Sequence, residues 1–371
     1  MRYPEYLQKG GTIGFVAPSF GCATQPYKTA FDNAQRIFKE KGYKIFLGNN
    51  CYMDRGIGIS NTPYECGKEL TDAYCTGPGD VLISCGGGEL MCEILEYVDF
   101  ERIRSAEPRW FMGYSDNTNF TFLLTTLCDT ASIYAPCAAA FGMQPWHPAI
   151  DDAFKVLTGK KNTFTGYDMW EKESKKTAEN PLEPYNVTEK SVIKVYNNAG
   201  RISRQDEKIT FSGRLLGGCL DCLSNLVGTK YDKVDEFNKK YADDGVIWFL
   251  ESCDLNVLSM RRAMWQLDNA GWFKNARGFI IGRPYFYGQE IMGLDHYEAY
   301  MGILRKYNVP VIMDFDLGHL PPAVPMVCGS LASVETGCTA YDYSEDVVHN
   351  TVSDTEQNIT ENSIRIVMNN L

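Results

Sequence analysis

The sequence predicts an α/β protein in two parts, a mostly parallel sheet covered on both faces followed by a β-rich α/β unit. Three observations predict it. Short apolar runs alternate with helix-length amphipathic segments through the first 127 residues, as in chains of βα units. A polar stretch at 160–198, rich in Lys, Glu, Pro and Asn, then interrupts the pattern. Beyond it the alternation resumes and passes into a turn-rich tail from Val327 onward that is more β than α.

The elements follow in order. Thr12-Ile13-Gly14-Phe15-Val16-Ala17 is a buried strand ending at Pro18. Residues 27–42 form a helix with Ala30, Phe31, Ala34, Ile37 and Phe38 on one face and Gly42 as its stop. A second strand spans 43–47, a helix 62–76, and a third strand 80–84, which runs into three glycines. Residues 90–103 return as helix, 110–112 as strand and 117–127 as helix. After the polar stretch, strands are expected at 209–216, 245–250, 279–281 and 309–313, with helices at 219–228, 255–271 and 294–307. The domains are therefore set at 1–160, a connection or lid at 161–200, and 201–371. A length of 371 residues suits two cores of ordinary size.

Composition narrows the function classes. Hydrophobic residues at 44% and charged ones at 22% belong to a globular chain, which excludes a largely disordered one. A net charge of −11 without a basic cluster disfavours a nucleic-acid polymer as partner. No apolar window is long enough to span a bilayer, and the polar start Met1-Arg2-Tyr3-Pro4-Glu5 lacks the core of a secretory signal. The expected setting is cytoplasmic, with the 13 cysteines as thiols and the three Asn-X-Thr patterns, at Asn119, Asn186 and Asn358, unused.

Chemistry concentrates in a few segments. In Gly113-Tyr114-Ser115-Asp116-Asn117, a strand hands over to a helix. A serine there stands at the carboxyl end of the sheet, beside helix N–H groups that suit a developing oxyanion. Read blandly, Ser115 or Asp116 only caps the helix. A serine nucleophile needs a base, and the chain has His147, His296, His319 and His349. His319 follows a strand in Gly318-His319-Leu320-Pro321-Pro322, a rigid mount, whereas His147 sits in a surface turn, His296 in a helix and His349 in the tail. The carboxylate that orients the base is Glu251, Asp314 or Asp316; local sequence leaves all three open. The run Cys85-Gly86-Gly87-Gly88-Glu89 lets backbone approach a ligand closely, or is simply a tight turn. Cys219-Leu-Asp-Cys222 has C-x-x-C spacing but no second pair to complete a zinc site, so both are assigned to the core. No metal site is expected.

Together these segments resemble the LD-carboxypeptidase family of serine peptidases, which includes the microcin C immunity peptidases. The resemblance runs from Gly11-Thr12-Ile13-Gly14-Phe15 to about Glu335, through Gly113-Tyr-Ser-Asp116, Gly213-Arg-Leu-Leu-Gly-Gly218, Trp248-Phe-Leu-Glu251, Gly282-Arg283 and Gly318-His319. It implies a Rossmann-like N-terminal domain joined to a β-rich α/β C-terminal domain, usually in a homodimer. It implies Ser115 as nucleophile, Glu251 as acid and His319 as base, with the N–H groups of Asp116 and Gly87 as the oxyanion hole and no cofactor. Murein LD-carboxypeptidases carry Arg-Gly-Gly-Tyr-Gly at the glycine loop, where this chain has Cys85-Gly-Gly-Gly-Glu89. That departure, with Trp170 and Tyr185 in the polar connection, resembles the microcin C branch more closely. It implies Gly86, Gly88, Trp170 and Tyr185 as substrate contacts, and a small peptide or peptidyl-nucleotide as substrate. Two rivals share parts of the pattern. An α/β-hydrolase also has the order Ser, acid, His, but expects G-x-S-x-G and one sheet for all three. A non-catalytic module would use the glycine loop to bind a nucleotide.

Overall fold

The computed structural model describes residues 1–203, 207–337 and 364–369. His349 and Asn358 lie outside the described residues, as does most of the tail.

The first sheet has strands β1 Thr12–Val16, β2 Lys44–Leu47, β3 Val81–Ser84, β4 Phe111–Gly113 and β5 Ser132–Tyr134. They pair in parallel in the order β2-β1-β3-β4-β5. Strand order reverses between β1 and β3, so their carboxyl ends open the crevice where such sheets bind ligands. Helix α1, Tyr27–Glu40, buries Ala30, Phe31, Ala34 and Phe38. Phe31 meets Phe15 of β1 edge-on, with ring centroids 5.1 Å apart, and each fully buried ring contributes about 1.5–3 kcal/mol. Helix α2, Pro63–Thr76, starts with proline in its first turn, where no N–H is missed. Thr62 caps it by accepting the Glu65 N–H.

One expected helix is broken. Residues 90–103 form a 3₁₀ turn, Met91–Tyr97, and a separate helix α3, Phe100–Ser105. Asp99 restarts the helix by accepting the Arg102 N–H at 2.9 Å. Helix α4, Thr118–Thr126, is buried from Thr118 through Thr125. Helix α5, Pro148–Leu157, was not expected; His147 is its cap, with Nδ1 accepting the Ala149 N–H at 3.2 Å, rather than part of a free turn.

The remaining strands are β6 Thr163–Phe164, β7 Met169–Trp170, β8 Glu189–Lys190, β9 Lys194–Tyr196, β10 Thr210–Cys219, β11 Val246–Glu251, β12 Ala276–Gly282, β13 Glu290–Ile291, β14 Leu294–Asp295, β15 Val311–Phe315, β16 Met326–Cys328, β17 Leu331–Thr336 and β18 Ile364–Asn369. The second sheet runs β6-β18-β17-β10-β11-β12-β15-β9, with β10, β11, β12 and β15 parallel. Its two edges, β6 and β9, come from the polar connection, which is therefore woven into the sheet. Strand β16 crosses back to pair antiparallel with β5, at the edge of the first sheet.

The sheets meet over α4. Its Phe122 stacks on Trp272 at 5.3 Å and lies 6.4 Å from Trp248 of β11. Strand β10 continues through Gly217 and Gly218, past the end expected at Leu216. A Cβ on Gly218 would lie 2.6 Å from Thr118 Cγ2, so only glycine lets the strand pass this close to α4. The Cys219 N–H then reaches Thr118 Oγ1 at 2.9 Å. Among the described residues no helix is long and apolar enough to cross a membrane.

Candidate active site

Ser115 follows β4 directly, on a 3₁₀ turn that leads into α4. Its φ is 62°, a left-handed conformation that costs a non-glycine residue about 1 kcal/mol or more. The turn holds because Asn117 Nδ2 donates to Gly86 O at 2.8 Å and to Tyr114 O at 3.1 Å. The Ser115 N–H donates to the Tyr134 hydroxyl at 3.0 Å. The strain thus points the serine side chain out of the first sheet.

Two side chains of the second sheet meet it there. His319 Nε2 lies 2.8 Å from Ser115 Oγ, and His319 Nδ1 lies 2.7 Å from Glu251 Oε2. Glu251 ends β11 and has no exposure. The loop after β15 carries His319 over it at Gly318, whose φ is +100° and whose Cβ, if present, would lie 2.7 Å from Glu251 Oε2. The Tyr134 hydroxyl donates to Glu251 Oε1 at 2.5 Å, and the Tyr114 ring packs on the imidazole at 5.2 Å.

The electrostatics follow from this packing. Burial opposes charge on Glu251, but the His319 charge and the hydrogen bonds from His319 and Tyr134 outweigh it and hold the carboxyl below its usual range. Burial also opposes charge on His319. The Glu251 charge, with hydrogen bonds to Cys253 and Glu251, prevails and pushes the imidazole well above its ordinary value.

Asp314 and Asp316, the other candidate acids, are committed elsewhere. Asp314 takes the Tyr297 hydroxyl at 2.6 Å and faces His296 Nε2 at 3.1 Å. Asp316 pairs with buried Arg283 and accepts the Tyr167 N–H at 2.6 Å.

The glycine loop lies against Ser115. A Cβ on Gly87 would stand 3.2 Å from Ser115 Oγ, and one on Gly88 2.1 Å from Ser19 Oγ. Asp116, 3% exposed, ties this region together by accepting the Ser19 hydroxyl at 2.5 Å and the Met91 N–H at 2.9 Å. The loops after β1, β3 and β4 are thereby held as one unit.

Two cavities flank the serine. One, of about 270 Å³, is lined by His319, Tyr114, Tyr27, Tyr185 and Lys176. The other, of about 290 Å³, is lined by Ser115 itself, with Gly88, Glu89, Asp221 and Asp254. Tyr185 therefore stands near the site, but Trp170 does not line either cavity. Its buried ring packs on Tyr287 and under the Arg283 guanidinium, and its indole N–H donates to Lys190 O. Cys219 and Cys222 are buried, as expected of core thiols, and also line the second cavity.

Sequence reasoning missed Tyr134, Ser19, Cys253 and Lys176. Tyr134 carries no local signal, since it ends a three-residue strand and matters only through contact with the other sheet. Ser19 had one, as it directly follows the first strand and its Pro18.

Comparison with known proteins bears on this geometry. The family model described as the LD-carboxypeptidase N-terminal domain matches residues 13–135, and that of the LD-carboxypeptidase C-terminal domain matches 212–334. The probable murein peptide carboxypeptidase of Bacillus subtilis (strain 168) is 24% identical over 341 residues, covering 90% of this chain and 91% of that protein. The microcin C7 self-immunity protein MccF of Escherichia coli is 24% identical over 338 residues, covering 89% of this chain and 92% of that protein. A solved structure of MccF in complex with glutamyl sulfamoyl guanosine matches with a TM-score of 0.72 at 22% identity, covering 89% of this chain and 94% of the other.

Proposed function

The chain belongs to the LD-carboxypeptidase family, and we propose that it is a serine peptidase hydrolysing an amide in a small peptide or peptide conjugate through Ser115, His319 and Glu251. One observation carries this reading: the unbroken hydrogen-bonded chain from Ser115 Oγ through the imidazole to the buried Glu251 carboxylate.

His319 takes the Ser115 proton as the oxygen attacks the carbonyl carbon. Glu251 orients the imidazole and stabilises its cation. The backbone N–H groups of Asp116 and Gly87 receive the oxyanion, and Gly86 and Gly88 keep the loop low enough for the substrate. The C–N bond breaks as His319 protonates the leaving amine. Water, deprotonated by the same imidazole, then releases the acid and restores the serine. This route uses no metal or organic cofactor. Among the described residues the cysteines are unpaired and most are buried, which supports a cytoplasmic setting.

The leaving amine lies in the cavity that His319 lines, where Lys176 offers a cation for its carboxylate. That favours a carboxypeptidase acting on a free C-terminus. The tyrosines of the same cavity favour a second substrate class, an aminoacyl or peptidyl nucleotide, by stacking on a base. An α/β-hydrolase fits less well, because the acid and base here belong to a different sheet from the serine.

The test is turnover of an L,D-linked tetrapeptide beside an aminoacyl sulfamoyl-adenosine, by the wild type and Ser115→Ala. Cleavage of either, lost by about four orders of magnitude in the variant, is expected. Tight nucleotide binding that survives in Ser115→Ala, with neither compound cleaved, would instead identify a binding module.

A further inference from the structure

Cys92, Cys219, Cys222 and Cys253 all line the cavity that opens on Ser115. Two of them form a pair. Cys219 closes β10 and caps helix α6, Leu220–Leu226, and Cys222 lies in the first turn of that helix. Two intervening residues bring the side chains together at such a turn, and the thiols are hydrogen-bonded to each other. That bond, with burial, raises Cys219 well above the ordinary thiol range. In Cys222 the same bond opposes the rise that burial imposes, so Cys222 is the better nucleophile of the two.

The pair touches both ends of the Ser115–His319–Glu251 chain. Cys222 Sγ lies 3.7 Å from Ser115 O and 3.9 Å from Asp116 Oδ1. Cys219 Sγ lies 3.3 Å from Asp221 Oδ2, and its bond to the Glu251 carboxylate helps to keep that group ionised. The Cys219 backbone is clamped. It pairs with Glu251 in the β10–β11 register, and its N–H reaches Thr118 Oγ1 at 2.9 Å. Another group of thiols, Cys22, Cys51 and Cys85, is also in mutual contact, but it belongs to a continuous apolar core and does not line this cavity.

We propose that Cys219 and Cys222 are a modification site, closed to a disulfide by a peroxide and reopened by a dithiol, and that closure weakens the hydrogen-bonded chain from Ser115 to Glu251. Its effect on activity rests on the peptidase reading above. The Cys222 thiol gives up its proton as its sulfur attacks one oxygen of hydrogen peroxide. The O–O bond breaks, and the departing hydroxide takes the proton and leaves as water. The Cys219 sulfur then attacks the sulfenic sulfur of Cys222. The S–O bond breaks, and the hydroxyl leaves with the Cys219 proton as a second water. The two thiols have thereby lost two electrons to the peroxide. A dithiol returns them by exchange through a mixed disulfide. Transient, sensing disulfides of this kind are the ones that a reducing cytosol allows.

Closure draws the two sulfurs from contact to a bond of about 2.0 Å. With Cys219 clamped, Cys222 and the start of α6 make the movement, away from Ser115 O and Asp116. Glu251 loses the S–H that supports its charge. The left-handed turn at Ser115 loses a neighbour beneath its carbonyl.

The test uses the full chain, reduced and then treated with hydrogen peroxide. Differential alkylation with peptide mapping should find a disulfide between Cys219 and Cys222 that dithiothreitol removes. The rate at which a fluorophosphonate labels Ser115 should fall about tenfold on oxidation and recover on reduction. In Cys222→Ser the ratio of reduced to oxidised rates should be one, whatever the absolute rate, while Cys253→Ser should keep the wild-type ratio. Oxidation at Cys92 or Cys253 with Cys219 and Cys222 still free overturns the inference and leaves the peptidase reading intact. So does a closed disulfide with unchanged labelling. If Ser115 of the reduced protein takes no label, the peptidase reading fails, and an NMR titration of His319 decides the inference. An imidazole pKa that differs between the closed and open forms supports it, and equal values refute it.

Discussion

The Tyr134 hydroxyl, at the end of a strand in the first sheet, donates to Glu251 Oε1, at the end of a strand in the second, at 2.5 Å. The same oxygen accepts the Ser115 N–H at 3.0 Å. One phenol thus couples the Ser115 backbone to the Glu251 carboxylate across the junction of the sheets.

Tyr134→Phe removes both bonds at a site that is 2% exposed. Leaving a buried donor and acceptor unmet costs about 1–3 kcal/mol. A lower urea midpoint with unchanged slope should record that loss, together with a lower kcat. A variant as stable and active as wild type would show that the bridge is dispensable.

The pH profile has a defined sign. In the proposed mechanism His319 accepts a proton only when neutral, so kcat/KM should rise as pH climbs through its pKa. Glu251 pushes that pKa well above the ordinary 6.5, which places the acid limb above that value. In Glu251→Gln the carboxylate is gone and burial, which disfavours the cation, remains. The limb should move to lower pH while kcat falls by about 10⁴. An acid limb unmoved in this variant would assign it to another group.

Arg283 braces the segment that leads to His319. It is 1% exposed, donates to Asp314 O at 2.7 Å and pairs with Asp316, three residues before His319. Asp316 in turn takes the Tyr167 N–H and the Ser191 hydroxyl from the polar connection. Arg283→Ala leaves a buried carboxylate unpaired, at a cost of about 3–5 kcal/mol. Thermal unfolding should show the loss, and Arg283→Ala/Asp316→Asn should recover part of it.

Lys176 lines the cavity of His319, and burial lowers its pKa against the opposing pull of Glu171. Lys176→Ala should raise KM about tenfold for a substrate with a free C-terminal carboxylate and leave the C-terminal amide of the same peptide unaffected. Equal changes on both would remove Lys176 from carboxylate recognition.

What the sequence made legible depended on scale. Strands β1 and β3 and helix α1 announce themselves because continuous apolar runs and a 3.6-residue face extend over enough residues to carry a period. Strands β5, β6 and β16, of two or three residues, carry none, and their pairing is decided by distant partners. The polar connection looked like a lid for the same reason, although its ends form both edges of the second sheet.

The site was legible in a different way. Ser115 and His319 each sit where a strand gives way to a turn, a local signal, and the structure brings them to 2.8 Å across 204 residues of chain. The choice among Glu251, Asp314 and Asp316 was not local. Alternation sends Asp314 toward Tyr297, and the next turn sends Asp316 toward Arg283. Neighbourhood in sequence said nothing about either direction. Trp170 was misplaced because aromatic content in a polar segment suggests exposure, whereas its ring is occupied by Tyr287 and Arg283.

The central claim is that one serine hydroxyl among many is activated by its imidazole. Reaction of the intact protein with a fluorophosphonate, followed by peptide mass mapping, addresses it directly. A single phosphonyl adduct on Ser115, lost in His319→Ala, is the expected result. An adduct on another side chain, or labelling of Ser115 at the same rate without the imidazole, would contradict the account.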